Sequence, residues 1–315
     1  MKSSRAFTIL ALVLLIGYLR LSKGAPAGST SCSCRVAYFN SEKVAAALSP
    51  DTVMTEAIVN NKRGGLVDWD DVDNKYLLRV TRQDKNRPVG ESHSFTHIWY
   101  VLEGNATLVT GGSLASPKTV TQPIAPWGGQ LIRGPGIEGG ETRLISKGDA
   151  IIVQRNWPHW WKEIRDPPFI YLVVNIPPNS LEAEVPAASS PSPVTYFDNE
   201  RMQAGFAKGS VLFDGKSVQN KYRVYTMRLE APSPPEVHAL DTVIMYVLDG
   251  SAEYVTGGSI TDAKTTEPGE IRGTSIKGGV TRHLSKGDVI MVPNGVPSWF
   301  REVQGPGLFF LVKVR

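Results

Sequence analysis

Short runs of apolar, β-branched and aromatic residues, bounded by glycine or proline, recur along this chain. Examples are Leu77-Leu78-Arg79-Val80, Trp99-Tyr100-Val101-Leu102, Ala150-Ile151-Ile152-Val153 and Ile170-Tyr171-Leu172-Val173-Val174. Runs of this length and composition predict β-strands rather than helices. Helical periodicity is weak, and only two short helices are expected, over 42–48 and 200–206. The frequent turns agree with 30 Gly and 22 Pro in 315 residues. The pattern predicts an all-β protein.

The same pattern is written twice. Val36-Ala37-Tyr38-Phe39-Asn40 returns as Val194-Thr195-Tyr196-Phe197-Asp198, and Asn74-Lys75-Tyr76 returns as Asn220-Lys221-Tyr222. Tyr100-Val101-Leu102-Glu103-Gly104 returns as Tyr246-Val247-Leu248-Asp249-Gly250, each followed by a Val-Thr-Gly-Gly turn. Ile132-Arg133-Gly134 matches Ile271-Arg272-Gly273, and Ser146-Lys147-Gly148-Asp149 matches Ser285-Lys286-Gly287-Asp288. The order never changes, which is the signature of a duplicated domain. Residues 177–193, rich in Pro, Ala and Ser, read as the linker between a first half, 28–176, and a second, 194–315.

Composition narrows the function. A hydrophobic fraction of 41% is enough for two cores, and the net charge of +4 comes from basic residues that are scattered. Nucleic-acid binding needs a concentrated basic face, so it is not expected. The N-terminus has its own logic: Lys2 and Arg5 precede an apolar run from Phe7 to Leu19, then small residues at Gly24, Ala25 and Ala27. That layout predicts a signal peptide over 1–27 and a secreted or periplasmic protein. Arg20 and Lys23 are unusual in a cleavage region, which leaves an uncleaved membrane anchor as the alternative. The apolar run is shorter than the roughly 20 residues that a span needs. Both cysteines, Cys32 and Cys34, lie just beyond it, too close together for an unstrained bridge.

Two motifs carry the chemistry. Gly90-Glu91-Ser92-His93-Ser94-Phe95-Thr96-His97, closed by Gly104, resembles the first motif of the cupin superfamily. Gly148-Asp149-Ala150-Ile151-Ile152-Val153 through Trp157-Pro158-His159 resembles the second, with its usual Pro-x-Gly turn replaced by Gln154-Arg155-Asn156. The resemblance covers both halves. It implies two tandem double-stranded β-helix (jelly-roll) barrels, and a metal site formed by Glu91, His93, His97 and His159, with the usual three imidazoles and one carboxylate in permuted order. Residues 91 and 93 lie two apart on a strand, so both point to one face. Such a set would hold one divalent transition metal per chain, with Fe, Mn, Ni, Cu and Zn all acceptable to these donors, and leave positions open for substrate, water or dioxygen. In the second half Glu236 and His238 persist, but Val243 replaces His97 and Ser298 replaces His159, so no metal is expected there.

Aromatic residues gather around the first set: Phe95, Trp99 and Trp161, with Tyr76 on an earlier strand. By alternation Trp99 should face the same way as His97, and Trp161 the same way as His159. They are expected either to bind a flat substrate or to pack the barrel core. Arg79 is the candidate anchor for a substrate carboxylate, since Arg133 and Arg143 recur in the metal-free half as Arg272 and Arg282 and read as structural. The resemblance therefore implies a metal-dependent enzyme acting on a small molecule, aromatic or carboxylated, by dioxygenase or by lyase/isomerase chemistry, with Glu91 as the catalytic carboxylate. A non-catalytic ligand-binding or storage protein is the other reading. A homo-oligomer is compatible with either.

Overall fold

A computed structural model describes residues 36–48, 76–120, 130–177, 193–215 and 221–315. All of them belong to one compact unit, Ser33–Arg315. The expected signal peptide, both cysteines and nearly all of the expected linker lie outside the described residues. Among the described residues, no helix is long and apolar enough to cross a membrane.

Two large antiparallel sheets, each curled into a jelly-roll barrel, account for most of the structure. The first is ordered Val194–Phe197, Ala150–Val153, Thr96–Thr110, His159–Ile176, Gly90–His93, Leu131–Gly134 and Lys118–Val120, with Leu77–Gln83 and Glu141–Ser146 paired at its sides. The second is ordered Ala37–Phe39, Val289–Val292, Thr242–Thr256, Ser298–Val314, Glu236–His238, Glu270–Arg272 and Lys264–Glu267. Each barrel thus takes its outer strand from the other half of the sequence. Tyr196 pairs with Ile151 in the first barrel, and Tyr38 pairs with Ile290 in the second.

The recurring motifs explain this exchange. Each exchanged strand runs into an α-helix, Ser41–Ala47 or Asn199–Lys208. Both helices start at a side-chain cap: Asn40 Oδ1 accepts from the Lys43 amide at 3.1 Å, and Asp198 Oδ1 from the Arg201 amide at 2.8 Å. The Ser-Lys-Gly-Asp turn of one half then grips the strand and helix of the other. Asp149 accepts from the Tyr196 hydroxyl (2.7 Å) and the Asn199 amide (2.8 Å). Asp288 does the same for the Tyr38 hydroxyl (2.8 Å) and the Ser41 amide (2.7 Å).

Three apolar clusters follow from alternation along the long strands. Ile98 and Tyr100 point outward into a cluster shared by both barrels, where the Tyr100 and Phe310 rings stack at 4.8 Å. Trp99 and Val101 point inward and fill the first barrel with Trp161, Phe169 and Tyr171. Met245, Phe300 and Leu311 point inward in the second. Gly104 marks where the strand Thr96–Thr110 meets the irregular middle of His159–Ile176. It has φ +76°, and a Cβ there would stand 2.3 Å from the Asp166 carbonyl oxygen.

Candidate metal centre

The strand Gly90–His93 supplies Glu91 and His93, and the start of the strand Thr96–Thr110 supplies His97. His159 opens the strand His159–Ile176 and sits opposite Glu91 in the ladder. A tight turn fixes the approach. The Asn156 amide donates to the His93 carbonyl at 2.5 Å, and Asn156 has φ +59°, a left-handed conformation that asparagine accepts more readily than most residues. In the second barrel Gly295, with φ +78°, donates to the His238 carbonyl in the same way. This is how the Gly of the usual turn can be replaced in the first half.

His93, His97 and His159 converge. They are buried, and one ring nitrogen from each lies within 4.8 Å of the others. Ring centroids are 4.7 Å apart for His97 and His159 and 4.8 Å for His93 and His97. Two of the rings are oriented from behind. His97 Nδ1 meets Asn175 Oδ1 at 2.8 Å, and His159 Nδ1 meets the Trp157 carbonyl at 3.1 Å. Both partners are acceptors, so each Nδ1 carries the proton and each Nε2 keeps its lone pair. His97 Nε2 is buried with no hydrogen-bond partner.

Electrostatics keep His97 and His159 neutral. Burial, followed by the neighbouring His159 and His93, pushes His97 well below the ordinary histidine range. Burial and His93 likewise bring His159 down to about 4, against a smaller upward pull from Glu91. Neutral imidazoles with lone pairs turned toward one another are the donor state that a divalent metal requires. The residues therefore fit a metal ion.

Glu91 stands beside this group. Its Oε2 is 3.3 Å from His93 Nε2, and its Oε1 accepts from Arg133 Nε at 2.7 Å. Burial alone would raise its carboxyl, but the His93 hydrogen bond and the attraction of His93, Arg133 and His159 outweigh it and hold the group below the usual carboxylate range. Glu91 is therefore ionised.

The aromatic residues divide. Phe95 lies 4.6 Å from His93 and 5.0 Å from His97, centroid to centroid. Trp99 lies 5.1 Å from His97, 5.3 Å from His159 and 4.9 Å from Trp161. Both tryptophans face inward, as alternation predicts, but Trp99 is only 3% and Trp161 6% exposed, so they pack the barrel beneath the imidazoles. Tyr76 is elsewhere: it belongs to the cluster shared between the barrels. Arg79 is half-buried and faces the barrel interior, sharing a ladder row with Val173 and Trp99. Its charge contributes to the lowering of His97.

Two polar partners were not legible as such. Arg133 reads as structural because it recurs as Arg272, yet it bonds Glu91. The usable signal was that the whole pair recurs, since Arg272 also bridges to Glu236. Asn175 orients His97 from 78 residues away and has no motif around it.

Comparison with known proteins places this architecture. The salicylate 1,2-dioxygenase from Pseudaminobacter salicylatoxidans superposes over 89% of this chain and 84% of its own, at 13% identity and a TM-score of 0.58. The chain has the bicupin fold. An oxalate decarboxylase from Lactobacillus farciminis, solved as a formate complex, matches at 14% identity and a TM-score of 0.45, over 77% of each chain. An 11S globulin from Wrightia tinctoria matches at 11% identity and a TM-score of 0.45, over 77% of this chain and 76% of its own. No family model matches the sequence, and no curated protein does. A likeness at this level of identity shows the fold alone, so the particular activity has to be argued from the site.

Proposed function

We propose that this chain is an exported, metal-dependent bicupin enzyme whose first barrel acts on a small molecule, aromatic or carboxylated. The observation that carries the reading is the buried, unpartnered His97 Nε2 beside two further imidazoles. The inward lone pairs of His97 and His159 are costly in an apolar barrel unless a cation satisfies them.

His93, His97 and His159 would hold the ion, with Glu91 as the candidate fourth ligand. When bound, the metal would supply a Lewis acid or a site for dioxygen, which serves lyase/isomerase or dioxygenase chemistry. The chain's own residues supply the rest. Asn175 and the Trp157 carbonyl fix the tautomers of His97 and His159. His93, and after it Arg133, keep Glu91 ionised, so Glu91 offers a carboxylate to a metal or substrate and does not arrive with a proton to give. Arg79 adds positive potential near His97, which favours an anionic substrate. Trp99 and Trp161 close the barrel below the rings and exclude water.

The test begins with elemental analysis of protein purified from its native host. One equivalent of a transition metal is expected, with loss in His97→Ala. A screen of aromatic and carboxylic acids for oxygen consumption and for metal-dependent product formation should follow. Protein that binds no metal, or that keeps it in His97→Ala, refutes the site. Metal-loaded protein with no turnover leaves the binding or storage reading. N-terminal sequencing of the same preparation should show a start near Gly24 to Gly28; an intact Met1 in a membrane fraction would refute cleavage.

A further inference from the structure

The second barrel opens around the counterparts of the first barrel's candidate metal ligands. It holds a cavity of about 430 Å3, within the roughly 300–1,000 Å3 common for small-molecule sites. The lining includes Glu236, His238 and Val243, the counterparts of Glu91, His93 and His97, so the cavity occupies the place of the first barrel's imidazole group. Smaller side chains open it: Val243 for His97, Met245 for Trp99, and Phe300 for Trp161. Val211, which is 54% exposed, also lines it and brings the cavity to the surface.

A lysine occupies the position that orients a ligand in the other barrel. Lys313 pairs with Val243 in its ladder, as Asn175 pairs with His97 in the first. Its ammonium stands 3.1 Å from His238 Nε2 and 5.6 Å from the centre of the Tyr225 ring. A fixed cation has thus entered the barrel that lost its metal ligands. Among the lining residues Arg228, Arg272 and Lys313 are basic and Glu236 is acidic, and Glu270 and Asp241 add negative charge near Lys313. The Glu236 carboxylate is already bridged by Arg272. Arg228 is paired with Glu230 at 2.7 Å, and His238 Nδ1 meets Glu270 Oε2 at 2.6 Å. Opposite this polar end the wall is apolar, formed by Val243, Met245, Phe300 and Leu311.

We propose that the second barrel is a metal-independent binding site for a small monocarboxylate with an apolar body. The carboxylate is held at Lys313, and the body lies against Val243, Met245 and Phe300. A lysine is a compact point charge with three donors, and a ligand carboxylate supplies the acceptor that the engaged Glu236 does not. The site is separate from the metal centre, so it stands or falls without the enzymatic reading of the first barrel.

Calorimetric titration of the full chain, with and without prior removal of metal by chelator, tests this. The probes are 3-phenylpropanoate, hexanoate and the neutral 3-phenylpropanamide. At least one acid should bind with one equivalent per chain, equally well in metal-free protein, and 3-phenylpropanamide should bind at least tenfold more weakly than 3-phenylpropanoate. Lys313→Met should weaken acid binding at least tenfold, and Val243→Phe, which fills the cavity, should abolish it without changing metal content. If Lys313→Met does not fold, the acid-to-amide ratio in the unaltered protein and the Val243→Phe result decide. Absence of acid binding, binding that requires metal, equal binding of acid and amide, or acid binding unchanged in either folded variant would overturn the proposal.

Discussion

Two hydrogen bonds decide which nitrogen His97 and His159 turn inward, and they come from groups with no chemistry of their own. Asn175 Oδ1 holds one ring and the Trp157 carbonyl the other. Partners of this kind are worth about 10–100-fold in metal affinity. Asn175→Leu should therefore lower affinity by that factor in a chelator competition, while His97→Ala abolishes binding; equal affinity in Asn175→Leu would show that the orientation is set by packing alone. Trp99 makes the opposite case. At 3% exposure, between His97, His159, Trp161 and Tyr171, it is core. Trp99→Ala should cost about 3–5 kcal/mol in urea unfolding, the scale of a large aromatic truncation. A cost near zero would mean that the ring is a wall of a ligand space. At this scale the imidazoles were legible because strand alternation and two motifs fix their direction. Asn175 was not, because a tertiary contact over 78 residues leaves no local trace.

Elements were legible where a local rule governs them. The helices Ser41–Ala47 and Asn199–Lys208 begin at Asn40 and Asp198, residues whose side chains cap an amide three positions on. The strand Ala150–Val153 carries no polar alternation because both of its faces are buried, one in the barrel and one in the shared cluster. The 18-residue strand His159–Ile176 contains Pro167-Pro168, which sequence rules read as a break between strands. Pairing to Thr96–Thr110 continues past it through register shifts. The exchanged strands are tied by Tyr196 to Asp149 and Tyr38 to Asp288, and these contacts set a pH limit. Burial first, then the aspartate hydrogen bond, pushes both hydroxyls well above the usual tyrosine value. A folded-state value above the unfolded one near 10 means the contribution is whole below about pH 10 and is lost as pH rises through the folded value. Tyr196→Phe should therefore lower the melting temperature at pH 7, and the gap to the unaltered protein should narrow at pH 11. A gap that widens with alkali would contradict this linkage.

The two barrels share strands and a core, even though the sequence reads as two beads and a linker. Duplication is visible in the repeated motifs, but which copy each strand pairs with is a tertiary choice that both copies allow equally. The structure resolves it by exchange: Val194–Phe197 completes the first barrel and Ala37–Phe39 the second. The largest apolar cluster draws on both halves, from Val44 and Tyr76 to Phe310 and Val314. A fragment of residues 28–176 would lose the partner strand along Ala150–Val153 and expose its side of that cluster. It would present an open, apolar sheet edge to solvent, the feature that drives aggregation. Expressed alone, that fragment should be insoluble or should melt without a cooperative transition, and a fragment of residues 177–315 should behave likewise. Expressed together, the two should co-purify and recover the metal content of the intact chain, because a cut between residues 176 and 177 severs neither exchanged strand. Scanning calorimetry and elemental analysis of the three preparations give the answer. A sharp transition with bound metal in the 28–176 fragment alone would show that the exchange is dispensable.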